Sequence, residues 1–527
     1  MNFISPVIPE QMLRKRLVTC VFFLLALLAA YKIAGDIVSN DLSGLAYVGM
    51  LFVGGAGVIA ILQDWRRGLY FFFAWLLLED FIRKFLGNNM AIYFAKDFFL
   101  AVIYLSFLAA CRRTDTKTFR PPFFLVLSSL IWFGVMQIFN PASTSVFFGL
   151  MGMKLYFYYV PLIAVGYALI DSEAALRRFF YVSLSIMLVI AALGIAQSIL
   201  GPRFLNPAVM ADDIRLLSET YRVAPISGVI VYRPTSVFVS AGRFSNMLIV
   251  NWFMVFGFSG YLLLRHRRGR AFCFVALAVT AAGCLMCGSR GAFMWSLGSA
   301  VIGAIAFLWG APWRQGEALR MIRILQRALL GVALAVIVLF FAYPDAFLNR
   351  LAVYSETLDP RSSQSELVSR AHTYPLRNFL AAFDFDRWPY GYGIGTASLG
   401  GQYVARFFHV RPPENPVESG YGNLVLEMGI VGLCLWIIMS IAVVFSGWNV
   451  VKKLKGSPFF PLSFMLCLYS FVLLIPMTFA GIQPYEDFIM NAYLWLLLGV
   501  LFRLPKLALD AQFAATAATK PASRWIR

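Results

Sequence analysis

Apolar runs of about 20 residues recur along almost the whole chain, separated mostly by short polar segments. A helix needs about 20 apolar residues to cross the roughly 30 Å hydrocarbon core of a bilayer. The pattern therefore predicts an all-α, polytopic integral membrane protein with about 12–14 transmembrane helices. The predicted spans are residues 17–34, 43–62, 68–86, 91–110, 121–139, 152–170, 179–200, 240–264, 271–287, 291–310, 324–343, 421–447, 459–481 and 485–502.

Two longer polar segments interrupt this pattern, at residues 201–240 and 344–420. The second is rich in Arg, Asp, Glu, Gly and Pro. A large polar loop of this kind in a membrane protein is expected to hold a catalytic site. Basic residues cluster at alternate helix ends. By the positive-inside rule this places both termini in the cytoplasm and both segments on the outer side. We therefore expect one large outer, periplasmic loop at 344–420.

Composition agrees with a membrane location. Apolar residues make up 60% of the 527 residues, charged residues make up 13%, and the mean hydropathy is +0.74. Soluble domains typically hold about 45–50% apolar and 25% charged residues. The net charge of +19 comes largely from the basic clusters at helix ends, so no nucleic-acid partner is expected. The seven cysteines lie in or beside predicted spans, and neither a disulfide framework nor a cysteine-based metal site is indicated.

The loops divide the chain into four regions. Residues 1–200 form an N-terminal scaffold of transmembrane helices with short connections, and residues 201–447 form the expected catalytic region with both outer loops. Residues 448–505 form C-terminal transmembrane helices, and 506–527 a cytoplasmic tail. The first apolar run follows a basic cluster, as in a signal peptide. It lacks a small-residue cleavage site, and we interpret it as an uncleaved first helix.

Arginines are the first candidates for substrate binding. The segments 201–243 and 344–420 contain arginine and no lysine, and the guanidinium group suits planar, bidentate contact with phosphate or diphosphate. The candidates on the outer side are Arg233, Arg243, Arg290, Arg370 and Arg377. For Arg290, which lies in a turn of small residues, the alternative is a basic side chain that only snorkels to the interface.

Three further polar residues lie near the predicted outer face. Lys154, at the start of a span, either contacts lipid phosphate or snorkels. His409 lies in the large loop and either shares a catalytic role or is only solvated. Glu418 precedes the span at 421–447. A carboxylate at a helix start is usually a cap, stabilised by about 0.3–1 kcal/mol. Beside arginines it could instead act as a general base; both interpretations stay open.

No metal or cofactor is expected, because the outer loops lack a His, Asp and Glu cluster with metal-ligand spacing. The pair Asp384 and Asp386 is the one feature that could contradict this expectation. The glycines of the segment at 388–400 follow no predicted strand, so a dinucleotide site is not indicated.

Four motifs occur in order between about residues 230 and 440: YRPTSVF, GSRGAF, SRAHTYPLRNFLAAF with WPYGYGIGTASLG, and ESGYGNLVLEMGIVG. Together they resemble the O-antigen ligase and polysaccharide polymerase superfamily. The resemblance implies metal-independent glycosyl transfer from an undecaprenyl-diphosphate-linked glycan, with Arg290 and Arg370 binding the donor diphosphate. Glu418 aligns with the catalytic histidine of the ligases. This departure favours the polymerase branch over the ligase branch.

The expected function is polymerisation of the repeat units of an exopolysaccharide or O-antigen, on the outer face of a bacterial inner membrane. Glu418, Arg290 and Arg370 are the catalytic candidates, and the donor glycan and membrane lipid are the expected partners. A chain-length regulator and a flippase of the same pathway are further candidate partners. One alternative is a ligase that transfers finished glycan to lipid A-core or another acceptor. The other is a lipid-linked oligosaccharide flippase, although transporters usually carry internal repeats and midplane charges in discontinuous helices.

Overall fold

The computed structural model describes most of the chain, namely residues 42–87, 89–265, 268–312, 330, 337–338, 340–359, 373–398, 400–401, 404–405, 409–410, 417–481 and 484–519. Most of these residues are helical, and the prediction of a mostly helical chain is confirmed. A two-stranded hairpin, which the sequence did not predict, is formed by β1 (Tyr221–Val223) and β2 (Ile230–Tyr232), paired antiparallel with Tyr221 opposite Tyr232.

The α-helices, in chain order, are α1 (Leu42–Gln63), α2 (Trp65–Phe85), α3 (Met90–Arg113), α4 (Phe124–Ile138), α5 (Val146–Phe157), α6 (Leu162–Leu169), α7 (Glu173–Leu200), α8 (Asp212–Ser218), α9 (Ala241–Arg265), α10 (Arg270–Met286), α11 (Arg290–Gly310), α12 (Pro344–Leu358), α13 (Tyr374–Leu380), α14 (Gly420–Lys453), α15 (Phe460–Val472) and α16 (Phe488–Thr519). Short helical turns lie at Ala381–Asp384, Leu473–Met477, Thr478–Ala480 and Pro484–Glu486.

Within the described residues, eight helical segments are long and apolar enough to cross a membrane. They are Met90–Arg113, Val146–Leu169, Glu173–Leu200, Ala241–Arg265, Arg290–Gly310, Gly420–Lys453, Phe460–Ala480 and Phe488–Phe513. The predicted span 17–34 and most of 324–343 lie outside the described residues. The total of 12–14 spans and the side on which each loop lies stay predictions.

Large apolar side chains on the helix surfaces fit a lipid environment. On α4, Leu125 is 80% exposed and Met136 is 69% exposed, and on α11 Leu308 is 70% exposed. Many large apolar side chains are exposed along the helices, and such surface fits helices that face acyl chains.

The chain divides into two compact units. The first comprises residues 1–72 and 89–108. In its described part, Phe71 of α2 packs edge-on against Phe99 of α3, with ring centroids 5.1 Å apart. The Ser106 hydroxyl of α3 donates to the Ile61 carbonyl of α1 at 3.0 Å, so the parts of these helices that lie in the first unit pack together.

The second unit comprises residues 73–88 and 109–527, and contains the described candidate site residues. Its most deeply buried spans are α9 and the α16 segment Phe488–Phe513. Polar bonds join α9 to its neighbours: Asn251 donates to Thr280 of α10 at 2.8 Å, and the Trp252 indole donates to Ser299 of α11 at 3.1 Å. Such interhelical bonds hold spans together where no water competes.

Part of the segment 367–383, whose apolar spacing predicts an amphipathic helix, is described. Helix α13 and the turn Ala381–Asp384 lie in it. Phe379 packs on Phe479, with ring centroids 5.9 Å apart, and Asn378 lies beside Gly422 of α14. Helix α13 therefore packs on the start of α14.

Candidate functional site

Arg350 of α12 ties together three chain segments. Its guanidinium is buried, and it donates to the carbonyl oxygens of Ser198 at 2.8 Å, Met286 at 3.1 Å and Tyr232 at 3.4 Å. Ser198 and Met286 lie in the last turns of α7 and α10, where helix carbonyls lack intrahelical partners. Arg350 therefore fixes both helix ends and strand β2 at one place.

Arg233 lies directly after the bonded residue Tyr232. Its N–H donates to the Thr220 carbonyl at 2.9 Å, and its side chain lies over the turn that follows α10. A Cβ atom added to Gly288 in that turn would lie 3.2 Å from Cγ of Arg233, and Gly288 has φ +66°. The Nε atom of Arg233 is buried and has no hydrogen-bond partner among the described residues.

Arg290 is the first residue of α11 and is half-buried. The N-cap is Ser289, whose hydroxyl accepts the N–H of Ala292 at 3.4 Å. The start of a long helix carries exposed N–H groups and positive dipole charge, both of which favour an anion. Arg233, the Gly288–Ser289 turn and the start of α11 thus form one basic cluster, which we call the arginine turn.

The β-hairpin packs beside the arginine turn and on α12. Ala224 and Val231 of the hairpin region form an apolar cluster with Val353, and Glu356 accepts the N–H groups of Ile226 at 2.8 Å and Ser227 at 2.9 Å. Hydrogen bonds from the Ser227 hydroxyl and from these N–H groups hold the pKa of Glu356 below its usual value.

Burial raises the pKa of Tyr232 to about 12. Its phenol therefore stays neutral at physiological pH, and it donates to the Ser218 carbonyl at 3.2 Å. Strand β2, which precedes Arg233, is held by this neutral side-chain bond and by the Arg350 bond to the Tyr232 carbonyl.

Arg243, predicted to bind substrate, is engaged in an ion pair. Its Nη1 donates to both carboxylate oxygens of Asp80, at 2.8 and 2.7 Å, and its guanidinium lies 4.6 Å from the ring centre of Phe488. Asp80 is fully buried and also accepts from Arg83 at 2.9 Å. These contacts give Arg243 a structural role.

The YRPTSVF motif is held in the protein interior by Lys84, which follows Asp80 and Arg83 on α2. Lys84 donates to the Thr235 hydroxyl at 2.9 Å and to the Ser236 carbonyl at 2.7 Å. The side-chain oxygen of Gln197 accepts the N–H groups of Thr235 and Ser236 at 2.9 and 2.6 Å. The motif thus positions the chain that leads from Arg233 into α9.

A second feature is a break in α14. Gly429 has φ +68° and ψ −172°, values outside the helical region, and the segment Pro389–Gly395 docks there. The N–H of Ile430 donates to the Pro389 carbonyl at 3.3 Å, and the N–H of Tyr392 donates to the Leu426 carbonyl at 2.7 Å. The interrupted helix thus exchanges backbone bonds with the glycine-rich segment.

The same segment also contacts α4, α5 and the residues between them. Gln137 donates to the Tyr390 carbonyl and Asn140 to the Gly391 carbonyl, both at 3.1 Å. A Cβ atom on Gly152 of α5 would lie 2.5 Å from the backbone N of Gly395. The glycines of WPYGYGIGTASLG therefore allow close backbone packing between helices, and this structural use differs from phosphate binding.

Glu427, two residues before the break, is fully buried. Its Oε1 accepts the N–H of Ala397 at 3.0 Å. This carboxyl group therefore fixes the end of the glycine-rich segment.

Glu418 is half-buried and lies two residues before α14. The N-cap of this helix is Ser419, whose hydroxyl accepts the N–H of Gly422 at 3.3 Å and donates to the Phe479 carbonyl at 2.8 Å. Ser419 therefore provides the side-chain cap, and Glu418 lies one residue before it. Its role as a general base stays a prediction.

Three of the four remaining candidates lie within the described residues. Lys154 is half-buried in the last turn of α5, and Arg377 is exposed on α13. His409 is exposed and has φ +53°. Arg370 lies outside the described residues. The structure thus brings Arg233 to the turn that carries Arg290, and it places Arg243 in a separate ion pair.

The sequence analysis did not single out Arg350 or Glu427. Arg350 was one of several arginines in the large loop, and its three carbonyl partners are distant in sequence. Glu427 gave a signal that could have been used, since an acidic residue inside an apolar helix usually faces a cavity or a partner.

No protein-family model matches the chain, and no curated protein matches it.

Proposed function

We propose that the protein is a membrane glycosyltransferase that polymerises undecaprenyl-diphosphate-linked oligosaccharide repeat units. The product would be an exopolysaccharide or O-antigen, made on the outer face of a bacterial inner membrane. The observation that carries this proposal is the arginine turn, where Arg233 packs against Gly288 beside the start of α11.

The arginine turn has the chemistry of a diphosphate site. The buried Nε of Arg233 is a charged donor with no hydrogen-bond partner among the described residues, and such donors normally find an acceptor. Arginine binds phosphate oxygens in bidentate fashion, and the α11 N-terminus adds further N–H donors. Arg350 acts as a positioning residue, because it holds the carbonyls directly before Arg233 and Cys287.

In the proposed reaction an acceptor sugar hydroxyl attacks the anomeric carbon of the donor. The bond from this carbon to the diphosphate oxygen breaks, and undecaprenyl diphosphate leaves. Glu418 takes the hydroxyl proton, and the arginines stabilise the negative charge of the leaving group, an effect that is often the largest catalytic contribution. Arg370 is a further candidate for stabilising the negative charge of the leaving group.

The test is the size of lipid-linked glycan in cells that express single variants. Arg233→Ala and Arg290→Ala should accumulate single repeat units, with polymerisation reduced by about 100-fold or more and with normal amounts of protein in the membrane. Arg215→Ala is the matched control, because Arg215 is exposed and pairs with Asp212. Normal polymer in both site variants would overturn the proposal. Full-length chains stranded on the lipid carrier would indicate a ligase.

One observation favours a transporter as a second candidate. Helix α14 is interrupted at Gly429 and carries the buried Glu427 at the break, an arrangement found at the substrate and ion sites of secondary transporters. Loss of a transporter would strand repeat units on the inner face of the membrane, whereas loss of a polymerase would strand them on the outer face. Access of an added glycosidase to lipid-linked glycan in intact spheroplasts distinguishes the two.

A further inference from the structure

The outward face of the β-hairpin is apolar and exposed. Val223 of β1 lies opposite Ile230 of β2, and side chains opposite each other in paired strands project to the same face. Val223 is 59% exposed and Ile230 is 64% exposed. Tyr221, two residues before Val223, lies on the same face because side chains alternate along a strand, and Ile226 in the turn is exposed as well. We call Tyr221, Val223, Ile226 and Ile230 the hairpin face.

The other face of the hairpin is fixed to α12. Val231 packs in one apolar cluster with Ala224 and with Val353 of α12. Glu356 of α12 accepts the N–H of Ile226 in the hairpin turn at 2.8 Å. These contacts hold the hairpin in one orientation, so the hairpin face stays exposed on the protein. Clustered exposed apolar side chains of this kind mark a surface that contacts a membrane or another protein.

The hairpin lies beside the end of a candidate membrane span. Helix α7 is one of the eight segments that are long and apolar enough to cross a membrane, and Ser198 lies in its last turn. The Nη2 atom of Arg350 donates to both the Ser198 carbonyl and the Tyr232 carbonyl of β2. Because a single nitrogen bonds both oxygens, β2 lies close to the last turn of α7.

The chain that follows β2 lies at the same level. Gln197, also in the last turn of α7, accepts the N–H groups of Thr235 and Ser236 at 2.9 and 2.6 Å. Leu200, the last residue of α7, is 62% exposed, so the apolar surface of this span extends to its end. The end of a membrane span lies where the hydrocarbon core meets the headgroups. The hairpin therefore lies at the depth of the membrane interface.

Helix α8 enlarges the apolar surface. The Tyr232 hydroxyl donates to the Ser218 carbonyl, at the C-terminal end of α8, at 3.2 Å. This bond joins α8 to the hairpin. Leu216 and Leu217, in the turn of α8 that leads to Ser218, are themselves exposed. The exposed apolar surface thus includes residues of α8 as well as those of the hairpin.

We propose that the hairpin face inserts into the membrane leaflet at this end of α7 and is covered there by phospholipid acyl chains. The apolar face of an interfacial segment buries about 5–10 Å into the boundary between headgroups and acyl chains. Tyrosines such as Tyr221 are enriched at this boundary, because they combine an apolar ring with a polar hydroxyl.

The position of the hairpin favours lipid over a protein partner. A second copy of the chain or another protein could bind an apolar face at any height above the membrane, whereas contact with lipid requires the depth at which α7 ends. Arg233 directly follows β2, so an inserted hairpin face also holds the arginine turn close to the level of the lipid phosphates. The inference does not depend on the proposed glycosyltransferase function.

Photolabelling from the lipid tests the proposal on the wild-type, full-length protein. The protein is reconstituted in vesicles of phosphatidylethanolamine and phosphatidylglycerol that contain a phospholipid with a diazirine in its acyl chain. Labelled peptides are then mapped by mass spectrometry. The α11 peptide with Leu308, which is 70% exposed, serves as the reference for lipid contact. The exposed polar connection 112–118 gives the background.

The hairpin peptides should be labelled as strongly as the α11 peptide. Labelling at the level of residues 112–118, with α11 labelled normally, would overturn the proposal. If the unlabelled hairpin face were also protected from hydroxyl radicals, the face would belong to a protein partner or a second copy of the chain.

The double variant Val223→Lys with Ile230→Glu shows whether the apolar face is needed. Opposite charges across the two strands keep them paired, and both positions are exposed, so the melting temperature in detergent should be unchanged. Labelling of the hairpin should fall to the background of residues 112–118, while α11 is labelled as before. Labelling that persists in this variant would overturn insertion through the hairpin face.

The matched control is Asp212→Lys with Arg215→Glu. This change reverses an exposed ion pair on α8, so it alters two charged side chains in the same segment without changing the hairpin face. Labelling of the hairpin should stay at the wild-type level. An equal loss in the control and in the Val223→Lys with Ile230→Glu protein would assign the effect to charge in the segment and overturn the proposal.

Discussion

Gly429 and Pro389 are in direct backbone contact. A Cβ atom added to Gly429 would lie 2.3 Å from the Pro389 carbonyl oxygen, and this carbonyl accepts the N–H of Ile430. Helix α14 is interrupted where another segment supplies the hydrogen bond that the helix loses. This relationship joins the glycine-rich segment to a predicted membrane span.

Gly429→Ala should destabilise the protein and detach the glycine-rich segment. A non-glycine residue at φ +68° costs about 1–3 kcal/mol in backbone strain, and the added methyl group also clashes with Pro389. The measurement is thermal unfolding of the purified protein in detergent.

Gly456→Ala is the control for this variant. Gly456 has φ +78°, and a Cβ atom there would have no neighbour within 4 Å. Gly456→Ala should therefore lose stability through backbone strain alone, without a steric clash. Equal losses of stability in the two variants would contradict close packing at Gly429.

Arg350→Lys should loosen the arginine turn although it keeps the charge. A lysine ammonium cannot reproduce the planar fork that reaches the Ser198, Met286 and Tyr232 carbonyls. The loss should be about 2–5 kcal/mol, because buried carbonyls are left without donors.

Hydrogen–deuterium exchange followed by mass spectrometry should show faster exchange in Tyr221–Tyr232 for Arg350→Lys. Arg215→Ala, which changes an exposed arginine, should leave exchange there unchanged. If Arg350→Lys exchanges like the wild type, the three carbonyl bonds do not hold the hairpin.

The apolar spans could be predicted from the sequence because each depends on a local pattern. The GSRGAF turn is also local, since Gly288, Ser289 and Arg290 define the cap and start of α11 within a few residues. The partners of these elements could not be predicted in the same way. The guanidinium of Arg350 donates to the carbonyl of Ser198, which lies 152 residues earlier in the chain. Arg243 pairs with Asp80, which lies 163 residues earlier.

The break in α14 also could not be predicted from the sequence. The predicted span 421–447 continues past Asn423 and Glu427 as an apolar run, and an isolated glycine in such a run is usually tolerated within a helix. The Pro389 carbonyl closely approaches Gly429 at the point where its backbone is non-helical. The loop that supplies this carbonyl begins far from the span in sequence.

Asp80→Asn should destabilise the protein strongly. Asp80 is fully buried and accepts from Arg83 and Arg243, so the variant removes the carboxylate from a buried cluster of ion pairs, at a cost of about 3–5 kcal/mol. Arg243→Ala should also lower the melting temperature, because the loss leaves Asp80 with one ionic partner fewer.

Arg265→Ala provides the comparison, since the Arg265–Glu173 pair is partly exposed and should contribute at most about 1 kcal/mol. Thermal unfolding of the variants ranks their losses of stability. An Arg243→Ala protein that keeps its melting temperature but makes no polymer would support the substrate-binding role predicted from sequence.

The contact between Glu356 and the hairpin should weaken in acid. Hydrogen bonds lower the pKa of Glu356, so its contribution to stability is present above the ordinary value of about 4.3. It is lost as the pH falls through the lowered folded value. Exchange of the Ile226 and Ser227 amides, corrected for the intrinsic effect of pH, should accelerate over that range. Glu356→Gln should show no such transition, and an identical transition in both proteins would assign it to another group.

Glu418→Gln and Ser419→Ala should separate catalysis from helix capping. Ser419 is the N-cap of α14, and removal of such a cap costs about 1 kcal/mol, so Ser419→Ala should lower the melting temperature with polymerisation largely retained. Glu418→Gln should keep the melting temperature and lose polymerisation, because glutamine cannot take a proton from the acceptor hydroxyl. Melting temperatures and glycan chain lengths measured on the same membranes give both results. A Glu418→Gln protein with normal polymer would exclude Glu418 as the base and assign the proton acceptor to another group.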